Sequence, residues 1–187
     1  AGEAASVPQL EARLDLRRAG VVDWSAYLVG HYDRKDLDGV GVDSPAQPEL
    51  EGVGIQVGGS VARGPLAIKG NAYWGRALGH QFGQLAQFGD IEGWGAWTQA
   101  LVRLSERWDV ALFVGQDDPD DADVLREVPG AGRLLNRTWA VMGRYTLGPY
   151  ALALEGMGAR TRWAGGEAAG PWTVSARQVN LSVLYRF

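Results

Sequence analysis

The densest group of potential metal ligands is the acidic run Asp117-Asp118-Pro119-Asp120-Asp121-Ala122-Asp123. Five carboxylates this close together could share a divalent cation, because hard cations such as Ca²⁺ prefer oxygen ligands. The run lacks the glycine and the closing bidentate glutamate of an EF-hand loop. We therefore favour a solvated loop, and the remaining weak candidates for a metal site are Asp117, Asp118, Asp120, Asp121 and Asp123.

Side chains for covalent or acid–base catalysis are sparse. The 187-residue chain contains no cysteine and two histidines, His31 and His80. The G-x-S-x-G, P-loop and H-E-x-x-H motifs are all absent. A pair between His31 and Ser25 or Ser60 is conceivable by residue type, but no motif supports it. The sequence predicts no enzyme and no cofactor, and the net charge of −4 argues against a nucleic-acid partner.

Apolar residues alternate with polar ones in segments of about ten residues, the pattern of strands with one apolar face. Glycine, a poor helix former, makes up 27 of the 187 residues, and there are eight tryptophans. The longest apolar stretch is too short for a membrane-spanning helix, whereas transmembrane strands need only about 9–11 residues. The alternation predicts nine strands, over 10–16, 22–32, 53–61, 66–74, 94–102, 108–114, 139–147, 150–156 and 179–187.

The connections between these segments alternate in length. Short turns are predicted at 19–20, 64–65, 105–107 and 148–149, and long polar loops at 33–51, 75–90, 116–135 and 164–171. Short turns at one end and long loops at the other are typical of outer-membrane barrels. Soluble β-sandwiches have no reason to sort their connections in this way. The pattern therefore predicts an all-β, antiparallel, up-and-down transmembrane β-barrel.

Aromatic residues gather at both ends of the predicted strands, as expected at two membrane–water interfaces. An aromatic-rich strand composition alone would not explain this clustering at the ends. Near the short turns lie Trp24, Trp108, Tyr145, Tyr150, Tyr185 and Phe187. Near the long loops lie Tyr32, Trp74, Trp94, Trp97, Trp139, Trp163 and Trp172.

The chain ends on Val179-Asn180-Leu181-Ser182-Val183-Leu184-Tyr185-Arg186-Phe187, with an apolar or aromatic residue at every second position. This ending resembles the C-terminal signal of bacterial outer-membrane barrels. The resemblance implies that the barrel assembly machinery recognises Val183, Tyr185 and Phe187. It also implies residence in the outer membrane, in contact with its lipid and with lipopolysaccharide.

The order of strands and loops from Val7-Pro8-Gln9-Leu10-Glu11-Ala12-Arg13 onward resembles the C-terminal half of a trimeric porin of Gram-negative bacteria. The cluster Leu134-Leu135-Asn136-Arg137, followed by an aromatic-rich hairpin, is similar to that group. The resemblance implies a homotrimeric channel for passive diffusion of small hydrophilic solutes. Members of that family are about twice as long as this chain.

The strand number leaves two interpretations open, because bacterial single-chain barrels have even strand numbers. Either one strand is miscounted and residues 1–187 form a single β-barrel domain, or residues 1–187 form the C-terminal portion of a longer barrel. We favour the longer barrel. The distinction matters because about eight strands enclose packed side chains, whereas about sixteen leave an aqueous channel. A small, non-conducting barrel with a structural or adhesive role is the alternative function.

Polar residues interleaved with the apolar ones are expected to face the barrel interior. Both signs of charge occur among them, which suits a water-filled passage. The predicted pore-lining residues are Arg13, Asp15, Tyr27, Gln56, Lys69, Asn71, Gln99, Arg103, Arg144 and Glu155. Arg13, Lys69, Arg103 and Arg144 are expected to form a basic wall, unless Arg144 pairs with Glu155.

Overall fold

The computed structural model describes residues 8–36, 49–79, 89–165 and 170–186. Within these ranges nine strands form one sheet, and each strand pairs antiparallel with its neighbours in sequence. This confirms the all-β, up-and-down architecture and the predicted number of strands. The elements are β1 (Leu10–Arg18), β2 (Asp23–Asp36), β3 (Glu49–Arg63), β4 (Leu66–Arg76), β5 (Glu92–Arg103), β6 (Trp108–Pro119), α1 (Asp121–Glu127), β7 (Arg133–Leu147), β8 (Tyr150–Trp163) and β9 (Trp172–Tyr185).

The two tightest hairpins turn on Gly-Pro pairs, as the sequence predicts. Gly64 and Gly148 adopt φ values of +56° and +57°. Glycine reaches this region without steric cost, and the ring of the proline that follows fixes the φ of that proline. The carbonyls of Pro65 and Pro149 accept backbone hydrogen bonds from Arg103 and Arg186, at 2.8 and 2.9 Å. Each turn is thereby fastened to the strand beside it.

Several strands run further towards the long loops than the alternation predicts. β2 continues to Asp36, β6 continues to Pro119, and β7 begins at Arg133. These segments are rich in charged residues, which favours a loop interpretation in sequence. Their backbone groups are nevertheless paired across the sheet, and Asp33 lies opposite Gly52 in the register of β2 and β3.

The sheet has one apolar and one polar face, because successive side chains of a strand point to opposite sides. We call the face that carries Ile55, Leu112 and Val183 the apolar face. These side chains are 47%, 50% and 67% exposed, so they are not packed in a soluble core. The opposite, polar face carries the interleaved residues.

Aromatic pairs on the apolar face match the prediction near the short turns. The rings of Trp108 and Tyr145 have centroids 5.0 Å apart, as do those of Tyr150 and Tyr185. Near the long loops, some residues of the predicted aromatic girdle lie on the polar face instead of the apolar face. There Trp97 lies opposite Asn71 on the polar face, and Trp163 and Trp172 follow the polar face as well.

A small apolar core lies beside the loop ends of the strands, under the helix α1. It contains Ile91, Val124, Leu134 and Ala164, each at most 1% exposed. The carboxylate of Asp120 caps the helix by accepting the amides of Ala122 and Asp123. In the described part of the chain, no helix has the length and apolar composition needed to cross a membrane.

Candidate functional site

All ten residues predicted to line a pore lie on the polar face. Residues paired directly across antiparallel strands share a face. Asp15, Tyr27 and Asn71 lie in one such row, with Gly58 between the last two. In the next row Lys69 lies opposite Gln99. The pairing register places the other five on the same face: Arg13, Gln56, Arg103, Arg144 and Glu155.

Tyr27 lies flat along the polar face and links three strands. The guanidinium carbon of Arg13 lies 4.3 Å from the centroid of its ring, while Arg13 Nε donates to Asp15 Oδ2 at 2.8 Å. On the other side, Asn71 Nδ2 donates to the Tyr27 hydroxyl at 3.2 Å. The ring crosses Gly58, where a Cβ would come within 2.5 Å of it. Glycine at this position therefore lets the aromatic ring lie against the sheet.

Tyr73 repeats this arrangement closer to the long loops. Its ring covers Gly95, where a Cβ would meet the ring at 2.4 Å. Its hydroxyl donates to the carboxylate of Asp117, which is 7% exposed. The first carboxylate of the acidic run thus belongs to a buried contact across β5. Sequence reasoning missed this pair, although both residues occupy polar positions of their strands.

The other carboxylates of the acidic run are engaged by protein groups. Asp118 accepts from Gln116, Asp120 caps α1, Asp121 accepts two hydrogen bonds from Arg162, and Asp123 pairs with Arg126. Within the described residues, no three His, Asp or Glu side chains are grouped to hold a metal ion. The run therefore fastens a helix over the strand ends instead of forming a solvated loop.

Further ion pairs bind the loop ends of the strands together. Arg76 donates to both oxygens of Asp90. These hydrogen bonds hold the pKa of the Asp90 carboxyl below its ordinary value, against the opposing effect of partial burial. Arg126 adds a hydrogen bond to the carbonyl of Asp90, at 3.0 Å.

His31 lies in a cluster of charged side chains that the sequence analysis did not identify. Its side chain is 0% exposed, with Nδ1 3.9 Å from Glu11 and Nε2 3.5 Å from Asp33. Lys35 Nζ lies 2.6 Å from the other carboxylate oxygen of Asp33. The hydroxyls of Ser25 and Ser60 contact each other at 2.8 Å, away from His31 in the register. His80 lies outside the described residues.

The expected basic wall is largely paired. Arg144 Nε donates to Asp109 Oδ2 at 3.0 Å, and Arg103 Nε lies 3.7 Å from Asp109 Oδ1. The alternative pairing of Arg144 with Glu155 is wrong, because Glu155 accepts from Asn180 instead. Of the four candidate residues, Lys69 alone has no ion-pair partner within the described ranges. The reason is register: β6 places Asp109 directly opposite both arginines.

A patch of three arginines lies on the apolar side of the sheet, at its loop end. Arg137 and Arg160 are opposite each other on β7 and β8, and Arg177 lies on β9 opposite Gly158. Arg137 donates to Gln116 at 2.8 Å. We call Arg137, Arg160 and Arg177 the arginine patch. None of the three forms an ion pair with a described carboxylate, and Trp139 lies next to them on the same face.

Two residues of the predicted assembly signal are described. Val183 and Tyr185 lie on the apolar face of β9, where they are 67% and 53% exposed. Phe187 lies outside the described residues. β9 pairs with β8 along one side, and its other side is a sheet edge in the described structure.

Comparison with known proteins gives one structural likeness. The chain is similar to the outer membrane channel DcaP of Acinetobacter baumannii, with a TM-score of 0.76 and 17% sequence identity. The match covers 97% of this chain and 52% of the channel, so the chain spans about half the length of its structural neighbour. No family model and no curated protein matches. The chain has the fold of part of a porin-type outer-membrane β-barrel.

Proposed function

We propose that the chain forms part of a porin-type channel for passive diffusion of small hydrophilic solutes across the bacterial outer membrane. The observation that carries this proposal is the contrast between the two faces over nine strands. Aliphatic side chains dominate the middle of one face, which suits lipid, while most of the charged and amide side chains of the strands lie on the other, which suits water. The likeness to an outer membrane channel supports the same function.

The nine described strands cannot close on themselves as an all-antiparallel barrel. β1 and β9 are the two edges of the described sheet. Nine alternating strands begin and end in the same direction, so direct pairing of these edges would be parallel. An antiparallel closure requires an odd number of additional strands. One added strand would still enclose a narrow interior, whereas a barrel of about twice this number of strands, in line with the 52% coverage of the similar channel, would give the polar face an aqueous lumen to line.

Conductance in planar lipid bilayers tests the proposal directly. The purified protein is expected to produce discrete current steps in salt solution that scale with bulk conductivity, because a water-filled lumen passes ions without tight binding. A stable, folded barrel that gives no steps would instead favour the small structural or adhesive barrel.

Assembly is expected to depend on the last strand. We propose that the barrel assembly machinery recognises Val183, Tyr185 and Phe187, in line with the resemblance of the terminal sequence. Deleting Phe187 should lower the amount of heat-modifiable protein in outer-membrane fractions, while protein refolded in detergent should be unaffected. Equal yields of wild type and variant in cells would contradict this role.

We also propose that the arginine patch contacts the phosphates of lipopolysaccharide. These guanidinium groups pair with no carboxylate in the part of the chain that the structure describes, and they lie next to Trp139 at the loop end, so they suit an anionic headgroup at the outer interface. Replacing Arg137, Arg160 and Arg177 by glutamine should reduce the lipopolysaccharide that co-purifies with the protein. Arg17→Gln on the polar face is the control, and it should leave the bound lipopolysaccharide unchanged.

A homotrimer is part of the proposed function through the porin resemblance. Chemical cross-linking in outer membranes, followed by electrophoresis with and without heating, counts the subunits. A heat-labile band at three times the subunit mass is expected. A single heat-modifiable subunit band would contradict the trimer.

A further inference from the structure

We propose that the polar face carries a binding site for small organic cations, formed by Phe113, Met142, Glu155 and Met157. This deepens the proposed channel, because solutes would reach the site through the lumen. Binding itself does not require conduction. The site occupies a depression of about 240 Å³ in the middle part of β6, β7 and β8.

Small residues form the floor of the depression. Ala111 and Ala140 lie on the polar face of β6 and β7, and both contribute to its lining. The longer side chains of Phe113, Met142 and Met157 surround this floor. Pockets for drug-sized molecules start near 300 Å³, so this depression suits a smaller ligand.

Glu155 supplies the charge. Asn180 Nδ2 donates to Glu155 Oε2 at 3.0 Å, and Gln178 Nε2 donates to Asn180 Oδ1 at 2.6 Å. This chain of neutral donors orients the carboxylate without neutralising it. Within the described residues no cation forms an ion pair with Glu155, because Arg144, on the neighbouring strand, pairs with Asp109. The carboxylate is therefore left to attract a cationic ligand and to repel an anionic one.

The apolar groups around Glu155 favour a cation with a methylated or alkyl surface. The face of an aromatic ring attracts cations, and Trp97 supports Phe113 with ring centroids 6.0 Å apart. Thioethers are polarisable and adapt to irregular apolar shapes. A hydrated metal ion would gain little binding free energy from these apolar side chains. A quaternary or alkylated ammonium group would be stabilised by both the carboxylate and the aromatic ring.

The two methionines allow a direct test, because the whole chain contains only two and both line the site. Protein labelled with ¹³C at the methionine methyl groups and folded in detergent is titrated with choline. Both methyl resonances are expected to shift with a common dissociation constant. The neutral isostere 3,3-dimethylbutan-1-ol should shift them much less at equal concentration.

Variants separate the contributions of charge and ring. Glu155→Gln should weaken choline binding about tenfold, and Phe113→Leu, which keeps an apolar wall, about threefold. Glu11→Gln removes a carboxylate elsewhere on the polar face and should leave the affinity unchanged. Heat-modifiability on gels identifies the variants that fold.

Three results would overturn the site: no methionine shift with choline, equal shifts with the neutral isostere, or unchanged affinity in the folded Glu155→Gln protein. Failure of the channel is distinguishable from failure of the site. A protein that binds choline but shows no bilayer conductance would support the site and contradict the channel. A protein that conducts but does not bind choline would support the channel and contradict the site.

Discussion

Replacing Leu112 by arginine is expected to destabilise the folded barrel by roughly 2–4 kcal/mol, the cost of a cation at the middle of a lipid-facing strand. Leu112 lies on the apolar face of β6, opposite Ala100 of β5 and Val141 of β7. Its side chain is 50% exposed, and its surroundings on that face are aliphatic. The free energy of unfolding in lipid vesicles, measured by urea titration, gives the effect.

Gln99→Arg is the matched control for this substitution. Gln99 lies on the polar face of the neighbouring strand, opposite Phe113. An arginine there would project towards water, so we expect a change in stability of less than about 0.5 kcal/mol. Similar losses of stability in both variants would contradict the assignment of the faces. A larger loss of stability in Gln99→Arg would indicate that the polar face is the one in contact with lipid.

The two faces could be predicted from the sequence because alternation is a local property of each strand. A shift of one residue would exchange the faces, so the pattern fixes the orientation of Leu112 without knowledge of its neighbours. The ends of the strands could not be predicted from alternation alone. Asp33 and Lys35 have the composition of a loop, yet they extend β2 because their backbone groups pair with β3.

Side-chain partners across strands could not be predicted, because they depend on register. Tyr73 and Asp117 are 44 residues apart, and their contact requires the small surface of Gly95 on the strand between them. The role of Asp120 as a helix cap could not be predicted from the sequence either, for a different reason. The acidic run around it resembles a solvated or cation-binding loop, and a helix as short as α1 leaves little periodicity in the sequence.

The pairing of Arg144 determines how a charge reversal should act. From sequence, Arg144 is expected to belong to a basic wall, with Glu155 as its alternative partner. In the structure it donates to Asp109, whose side chain is 10% exposed. Glutamate at position 144 would face that carboxylate directly. Breaking a fully buried pair costs about 3–5 kcal/mol. Because Arg144 keeps 36% exposure and Arg103 remains nearby, we expect about 2 kcal/mol for Arg144→Glu.

Lys69→Glu makes the same change in charge without breaking an ion pair within the described residues. If the polar face lines a lumen, both variants should move the reversal potential in a salt gradient towards cation selectivity, because lumen charges tune selectivity. Stability should separate them, with a loss in Arg144→Glu and little change in Lys69→Glu. The double swap Asp109→Arg with Arg144→Asp should recover part of the lost stability. Equal stability of the two single variants would show that Asp109 and Arg144 are not paired in the folded protein. Reversal potentials unchanged in both would place these side chains outside the conducting path.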